Sequence, residues 1–335
     1  MSNILVTGGA GFIGANLVNH LINQGEDNVV VLDDLSGGFR ENVHPNATLI
    51  IGSITDEKCV NDLFENYKFT YVYHLAAYAA EGLSHFIRRF NYNNNLVGSI
   101  NLINASIVHE VSCFVFTSSI AVYGSIKPPM REVDVPHPED PYGIAKYAVE
   151  LDLKNAKEMF GLNYVVFRPH NVYGEFQNIG DKYRNVVGIF MNQILKGESL
   201  SIFGDGSQQR AFSYIGDMVP LIAESAKNEK CFGEVFNIGA ETPTSVSELA
   251  EIVCDEMGEK SHPIQYHEAR NEVKFAYSDH SKLESVFGNL PSTDLKHGIR
   301  NMAAWVAKNG SKKTSEFANI EIQKNLPPFW LGNKK

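Results

Sequence analysis

The first fourteen residues constrain the fold of this chain more than any other segment. Asn3 to Thr7 form a short apolar run typical of a buried strand, and glycines follow at positions 8, 11 and 14. In a strand–turn–helix unit, glycines at this spacing allow a tight turn, a close backbone approach to a pyrophosphate, and close packing of the helix on the strand. The N-terminal amides of such a helix are free donors for an anion. The segment therefore predicts a dinucleotide-binding βαβ unit.

An acidic residue after the second predicted strand indicates which dinucleotide is bound. Val29 to Leu32 form another apolar run, and Asp33 follows it directly. A carboxylate at this point can accept hydrogen bonds from both hydroxyls of an adenosine ribose, which favours NAD over NADP. A glycine triplet alone is weak evidence, since a βαβ turn without a ligand also carries one. Here, however, the strand, turn, helix, strand and acid occur in register.

The composition fits a globular enzyme and disfavours several kinds of partner. The chain has 335 residues, enough for two lobes. Its formal net charge of −10 disfavours nucleic acid and anionic membrane surfaces. No apolar run has the length of a membrane span or a signal peptide. The four cysteines lack paired or metal-like spacing, so we expect a cytoplasmic protein. The histidines also lack metal-ligand spacing, and we expect no metal site, with His262, His267 and His280 solvated or in loops.

Apolar runs and helical patterns alternate over the first half of the chain. Beyond residue 33, this pattern predicts strands at 48–52, 71–77, 113–117 and 164–168, and helices at 95–109 and 141–160. Strand and helix in alternation predict a protein of the α/β class with a Rossmann-type, doubly wound parallel sheet. Ligands of such sheets bind at the carboxyl ends of the strands.

The second half of the chain differs from the first, with more predicted loops and with several glycines and aromatic residues. It includes a predicted strand at 235–238 and helices at 245–257 and 295–307. We therefore expect a smaller C-terminal α/β lobe that binds substrate, with some of its strands returning to the main sheet. The predicted division is an NAD-binding domain over 1–174, a substrate lobe over 175–320 and a C-terminal tail over 321–335. An apolar cluster at 326–330 is expected to dock on the body of the protein, with a role in an interface as the alternative.

Tyr142 and Lys146 are the strongest candidates for catalysis. They lie four residues apart in a predicted helix, so their side chains share one face. A nearby ammonium favours the phenolate form of tyrosine, which lets the phenol act as a base near neutral pH. Ser119, after the strand at 113–117, is placed to hydrogen-bond the reacting oxygen. A lone Tyr-x-x-x-Lys is more often an aromatic at a helix start and a solvated lysine, but the glycine turn and the serine favour catalysis.

Together these motifs resemble the extended short-chain dehydrogenase/reductase family, in its branch of NAD-dependent nucleotide-sugar epimerases and dehydratases. Within that branch the chain is most similar to 4-epimerases of UDP-glucose and UDP-GlcNAc. The resemblance covers nearly the whole chain to about residue 305, and its motifs occur at 7–14, 74–77, 95–98, 118–124, 142–146, 168–174, 203–206 and 279–282.

The resemblance implies roles for named residues and a homodimer formed through the helices near 95–109 and 142–160. The implied catalytic residues are Ser119, Tyr142 and Lys146. The implied NAD-binding residues are Gly8, Gly11, Phe12, Ile13, Gly14, Asp33, Asp34, Ser53, Ile54, Leu75, Ala76, Ala77, Asn95, Thr117, Tyr142, Lys146, Pro169 and His170. The residues implied to bind the UDP-sugar are Ser119, Asn171, Ser201, Phe203, Arg210, Arg270 and Ala276.

The residues after Ser119 indicate which reaction of the family to expect. Dehydratases and decarboxylating relatives carry a carboxylate there, whereas this chain has Ile120 and Ala121. Oxidation at C4 followed by reduction needs no such carboxylate, so we expect a UDP-hexose 4-epimerase. Alanine at position 276 leaves room for an N-acetyl group, which favours UDP-GlcNAc/UDP-GalNAc alongside UDP-glucose/UDP-galactose. Core packing alone also explains a small residue at that position.

Three other functions remain open at this point. A UDP-glucuronate 4-epimerase and a reductase that releases NADH would use the same catalytic residues. A non-catalytic NAD-binding protein would not need Ser119, Tyr142 and Lys146, so their presence argues against it.

Overall fold

The computed structural model describes residues 2–26, 28–181, 185–269, 275–312 and 319–327. Within these ranges the strands are β1 (Ile4–Thr7), β2 (Val29–Asp33), β3 (Thr48–Ile51), β4 (Tyr71–His74), β5 (Cys113–Thr117), β6 (Tyr164–Pro169), β7 (Val172–Tyr173), β8 (Leu200–Phe203), β9 (Gln209–Ala211), β10 (Ser213–Tyr214), β11 (Glu234–Ile238), β12 (Pro243–Ser245), β13 (Ile264–His267) and β14 (Phe275–Ala276). The α-helices in the same ranges are α1 (Phe12–Asn23), α2 (Glu57–Tyr67), α3 (Glu81–Ser84), α4 (Arg88–Tyr92), α5 (Gly98–Val108), α6 (Pro141–Phe160), α7 (Val186–Lys196), α8 (Ile215–Ser225), α9 (Val246–Glu256), α10 (Ser281–Phe287) and α11 (Leu295–Asn309).

Seven strands form a parallel sheet in the order β3-β2-β1-β4-β5-β6-β11. Its central strands are apolar runs without alternation, because helices cover both faces of the sheet. The order reverses between β1 and β4, where both strands present their carboxyl ends to a crevice. The predicted α/β, Rossmann-type fold is confirmed. As expected, a strand from the second half of the chain, β11, returns to this sheet beside β6.

Each face of the sheet has its own apolar core. One core contains residues of α1, α8 and α10, and the other contains residues of α2, α5 and α6. A third core lies away from the sheet and joins α7, α9 and α11. Near this third core the remaining strands form three small sheets: β7 with β10, β9 with β12 and β14, and β8 with β13. No helix among the described residues is long and apolar enough to span a membrane.

Helix α6 occupies the predicted range because residues at its two ends determine where it begins and where it stops. The Asp140 carboxylate accepts a hydrogen bond from the Gly143 amide (2.9 Å), Pro141 takes the first helical position, and Gly161 ends the helix in a left-handed conformation.

The helix predicted at 95–109 begins earlier than expected. It runs without interruption from Arg88 to Val108, through a π-helical segment at Asn93–Val97 that separates α4 from α5. Its N-cap residue, Ile87, offers no side-chain cap, which is why the local sequence does not mark this start.

Candidate active site

A large cleft opens at the carboxyl ends of the main strands. Its volume is about 2440 Å³. Sites for one small ligand usually measure roughly 300–1,000 Å³, so this cleft can hold a dinucleotide together with a second ligand. Residues of the glycine turn, residues at or just after the carboxyl ends of β4, β5 and β6, and residues of the second half of the chain all line it.

The glycine turn leaves bare backbone facing the cleft. Gly8 has a φ of +71°, and a Cβ placed on it would lie 2.8 Å from the backbone of Ala76. A Cβ on Gly14 would lie 2.2 Å from the carbonyl oxygen of Gly8. The turn and the first turn of α1 therefore pack too closely for any side chain. This geometry fits a pyrophosphate held by backbone amides at a helix N-terminus.

Asp33 lies at the end of β2 and lines the cleft. One carboxylate oxygen accepts a hydrogen bond from the Ala10 amide (2.9 Å), and the other accepts one from the Leu35 amide (2.8 Å). Burial raises the pKa of this carboxyl, although the backbone hydrogen bonds oppose the shift. Asp33 thus braces the glycine turn in addition to facing the position predicted for a ribose.

The structure brings nearly all of the residues predicted to bind NAD to this one cleft. Asn95 differs, because it lies behind the lining. Its side chain accepts a hydrogen bond from the Tyr78 amide (2.8 Å) and donates to the Tyr78 carbonyl oxygen (3.1 Å), so it braces a residue that does line the cleft. The predicted residues that line it are Gly8, Gly11, Phe12, Ile13, Gly14, Asp33, Asp34, Ser53, Ile54, Leu75, Ala76, Ala77, Thr117, Tyr142, Lys146, Pro169 and His170.

Ser119, Tyr142 and Lys146 line the wall of the cleft that is formed at the end of β5 and the start of α6. Tyr142, in the first turn of α6, is 8% exposed, and the Lys146 Nζ lies 5.9 Å from the centroid of its ring. That ammonium donates a hydrogen bond to the Thr117 carbonyl oxygen (2.7 Å). Burial lowers the pKa of Lys146 to about 7. Ser119 follows β5, and its Oγ accepts a hydrogen bond from the Ala121 amide (3.1 Å).

A buried ion pair lies behind this wall, and sequence reasoning missed it. The Arg168 Nε and Nη2 donate to the two carboxylate oxygens of Glu150 (3.0 and 2.5 Å). Glu150 also accepts a hydrogen bond from the Ser118 Oγ (2.5 Å), and the Arg168 Nη1 donates to the Tyr123 hydroxyl (2.7 Å). The pair ties α6 to the ends of β5 and β6. Its only signal in the sequence is that Glu150 stands one helical turn after Lys146.

His280 lies in the loop before α10, as the sequence predicts, but it is not solvated. It is 1% exposed and stacks on His170, with ring centroids 5.4 Å apart. The two Nε2 atoms lie 3.3 Å apart, and the His170 Nδ1 lies 3.0 Å from the Ala211 carbonyl oxygen. Burial lowers the pKa of His170 to about 4 and that of His280 to about 3. His280 precedes a short helix and lies outside any periodic pattern, so the sequence gives no sign of its burial.

The second half of the chain contributes most of the residues predicted to bind a UDP-sugar. Ala276 in β14 pairs with Arg210 in β9, which places the two predicted positions side by side. The Asn171 Nδ2 donates to the Ala211 carbonyl oxygen (3.3 Å), one residue beyond Arg210. Arg270 lies outside the described residues. The predicted sugar-nucleotide residues that line the cleft are Ser119, Asn171, Ser201, Phe203, Arg210 and Ala276.

Fold and site together define an extended short-chain dehydrogenase/reductase: a doubly wound parallel sheet, a glycine turn at its switch point, and a serine, tyrosine and lysine around one cleft. The chain belongs to the NAD dependent epimerase/dehydratase family, which it matches over residues 4–239. NAD is therefore its cofactor, and the close-packed glycine turn and Asp33 fit that group.

Solved structures of this family are similar to the chain over most of its length. A UDP-glucose 4-epimerase of Thermotoga maritima, with UDP-glucose, is 36% identical, with a TM-score of 0.87 over 91% of this chain and 99% of that one. A UDP-N-acetylglucosamine 4-epimerase of Methanobrevibacter ruminantium, in complex with UDP-N-acetylmuramic acid, is 32% identical, with a TM-score of 0.85 over 92% and 98%. A UDP-glucose 4-epimerase of Thermus thermophilus, in complex with NAD, is 30% identical, with a TM-score of 0.85 over 92% and 99%.

Proposed function

We propose that the protein is an NAD-dependent 4-epimerase of UDP-hexoses. The observation that carries this proposal is the meeting of Ser119, Tyr142 and Lys146 with the glycine turn in one cleft, where Ile120 and Ala121 follow the serine instead of carboxylates. The similar structures from Thermotoga and Thermus, both UDP-glucose 4-epimerases, support the same reaction.

The mechanism follows from the positions of these side chains. The glycine turn and Asp33 would hold NAD, which would supply the hydride acceptor for oxidation at C4 and, once reduced, the hydride donor for the reduction. The Ser119 hydroxyl hydrogen-bonds the C4 oxygen, and the Tyr142 phenolate removes its proton. The ammonium form of Lys146 stabilises that phenolate. The 4-keto sugar then rotates about its diphosphate, which Arg210 holds, and Tyr142 returns the proton once the other face of C4 is presented.

The test is incubation of the purified protein with UDP-glucose, UDP-GlcNAc or UDP-glucuronate, without added NAD, followed by NMR. The proposal expects the 4-epimer of a neutral hexose to accumulate until equilibrium, because each cycle regenerates the cofactor. Conversion of UDP-glucuronate alone would favour the uronate epimerase, and turnover that requires added cofactor would favour a reductase. The variant Tyr142→Phe is expected to retain NAD and lose turnover, and full activity in it would contradict the mechanism.

We propose further that the enzyme accepts N-acetylated hexoses. Ala276 lines the cleft beside Arg210, and its methyl group leaves space there. The Methanobrevibacter structure, which holds UDP-N-acetylmuramic acid, supports this breadth. The variant Ala276→Tyr is expected to lose activity on UDP-GlcNAc while keeping activity on UDP-glucose, with Ala276→Ser as the control of similar size. Equal loss on both substrates would contradict a role in selectivity.

We also propose a cytoplasmic homodimer in which residues 1–174 bind NAD and residues 175–320 bind the UDP-sugar. The cysteines of the described chain are all unpaired, which fits a reducing compartment. Exposed apolar side chains on the continuous helix from Arg88 to Val108 and on α6 support a dimer through these two helices, and they include Val97, Val108, Ile144 and Leu151.

A further inference from the structure

A segment near the C-terminus, residues 319–327, packs against helices α3 and α4. Ile320 joins a small apolar cluster that contains the buried side chains of Leu83 and Ile87. The amides of Glu321 and Ile322 both donate to the Phe86 carbonyl oxygen (2.9 and 3.1 Å). We call residues 319–327 the C-terminal segment, and residues 81–92 the α3–α4 wall.

Glu321 caps the helix that begins in this wall. Its two carboxylate oxygens accept hydrogen bonds from the amides of Arg89 and Phe90, each at 2.8 Å. These amides belong to the first turn of a helix whose N-cap residue, Ile87, supplies no side-chain cap. A carboxylate at this end of a helix also interacts favourably with the helix dipole. Glu321 therefore caps the N-terminus of this helix from a distant part of the chain, in place of a local N-cap side chain.

The α3–α4 wall is part of the active-site cleft. Phe86 and Phe90 line the cleft, and so do Asn319 and Pro327 of the C-terminal segment itself. Glu321 thus holds the backbone of two residues whose aromatic side chains line the cleft: its carboxylate binds the Phe90 amide, and its own amide binds the Phe86 carbonyl oxygen.

The wall also contacts the start of α6, which carries Tyr142. The Asn91 Nδ2 donates to the Pro141 carbonyl oxygen (2.8 Å). The Ser84 Oγ accepts a hydrogen bond from the Tyr142 amide (3.3 Å). Direct contacts therefore run from Glu321 through the wall to the backbone of the catalytic tyrosine.

We propose that the C-terminal segment is a wall of the nucleotide-sugar site, and that Glu321 is a positioning residue that holds Phe86 and Phe90 in place to bind substrate. The proposal deepens the proposed function and depends on it for the identity of the ligand. Because α6 has its own cap at Asp140, removal of the Glu321 carboxylate is expected to impair binding more than the chemical step.

The variant Glu321→Ala in the full chain tests this inference. We expect the KM for UDP-glucose to rise about tenfold while kcat changes by less than about twofold, a size set by the loss of one helix cap. Bound NAD is expected to be retained, and amide hydrogen exchange over residues 86–91 to become faster. Glu321→Gln keeps one acceptor oxygen and is expected to restore most of the affinity. Glu251→Ala, at an exposed glutamate of α9, is the matched control.

Binding without turnover separates this inference from the proposed function. The dissociation constant of UDP-glucose is measured by calorimetry in the Tyr142→Phe background, with and without Glu321→Ala. Weaker binding in the double variant supports the wall. If binding is unchanged, even with faster exchange over residues 86–91, then Glu321 only stabilises the helix. That result would overturn this inference and leave the proposed function standing. Failure of the parent variant to bind UDP-glucose would overturn the proposed function and this inference with it. If Glu321→Ala does not fold, Glu321→Gln carries the comparison, with a smaller loss of affinity expected.

Discussion

At the scale of single residues, the site contains an ionisable side chain, that of Lys146, in a position that is buried from solvent. Lys146 is buried, with its Nζ 4.6 Å from the centroid of the Phe116 ring and hydrogen-bonded to a backbone carbonyl oxygen. Burial of an ammonium is unfavourable, and this is the physical cause of its lowered pKa. Functional residues often break local rules of stability in this way.

The lowered pKa of Lys146 predicts how stability depends on pH. Between about pH 7 and 10 the unfolded chain binds this proton and the folded chain does not, so the free energy of unfolding rises with pH by up to about 1.4 kcal/mol per unit. In Lys146→Met this contribution is absent. Denaturation of the NAD-free proteins at several pH values is therefore expected to show wild type gaining stability relative to the variant as pH rises. Lys154→Met, at an exposed lysine of the same helix, serves as the control, and parallel curves for Lys146→Met and wild type would contradict the assignment.

The stacked histidines predict a specific pair of tautomers. A carbonyl oxygen can only accept, so the His170 Nδ1 that faces Ala211 carries a proton, and its Nε2 is left to accept from the Nε2–H of His280. Nitrogen-15 NMR at pH 7 is expected to show His170 protonated at Nδ1 and His280 protonated at Nε2. Since burial lowers both pKa values, to about 4 and about 3, the signals are expected to persist to pH 5.5. An imidazolium signal from either ring at pH 6 would disprove this arrangement.

At the scale of elements, the sequence predicted what local residues determine and missed what distant residues supply. Helix α6 was predicted with its observed bounds because Asp140, Pro141 and Gly161 mark its ends. The helix that begins at Arg88 was predicted to start too late, because its cap comes from Glu321. The same limit applies to the site: spacing within one helix indicated Tyr142 and Lys146, whereas the pairing of Glu150 with Arg168 depends on the fold of separate elements.

The glycine turn predicts a large difference between two glycine substitutions. In Gly14→Ala the new methyl group would meet the Gly8 carbonyl oxygen at 2.2 Å, and neither backbone can move without opening the turn. We expect a loss of about 3 kcal/mol in the free energy of unfolding, together with loss of bound NAD. Gly161→Ala, with open space around its Cβ, is expected to cost only about 1 kcal/mol and to keep NAD. Chemical denaturation and cofactor content measure both, and equal losses would argue against a steric role of position 14.

At the scale of the whole molecule, the topology explains why the position of the cleft was predictable and its far wall was not. The order of the main sheet follows from alternating strands and helices with right-handed crossovers, and it brings the ends of β1 and β4 to one crevice. The small sheets join segments that are far apart in the chain, such as β8 with β13 and β9 with β14. No periodic pattern in the sequence indicates these strand pairings. Ala276 lies beside Arg210 because of the register in which β14 pairs with β9. This register depends on the whole fold and not on any local sequence pattern.

The proposed homodimer can be tested by a substitution on the exposed apolar face of α6. Ile144 and Leu151 lie seven residues apart on α6 and so share a face, and Leu151 is 52% exposed. A glutamate in place of Leu151 would put an unpaired charge in the centre of an apolar interface, where it is expected to weaken dimerisation at least about tenfold. Sedimentation at micromolar concentration is expected to show a dimer for wild type and monomers for Leu151→Glu. Val133→Glu, at a valine that is 80% exposed outside the helices, is expected to remain a dimer. Since each subunit's cleft lies within its own chain, the monomeric variant is expected to retain NAD. A dimer that persists in Leu151→Glu would place the interface on another face of the molecule.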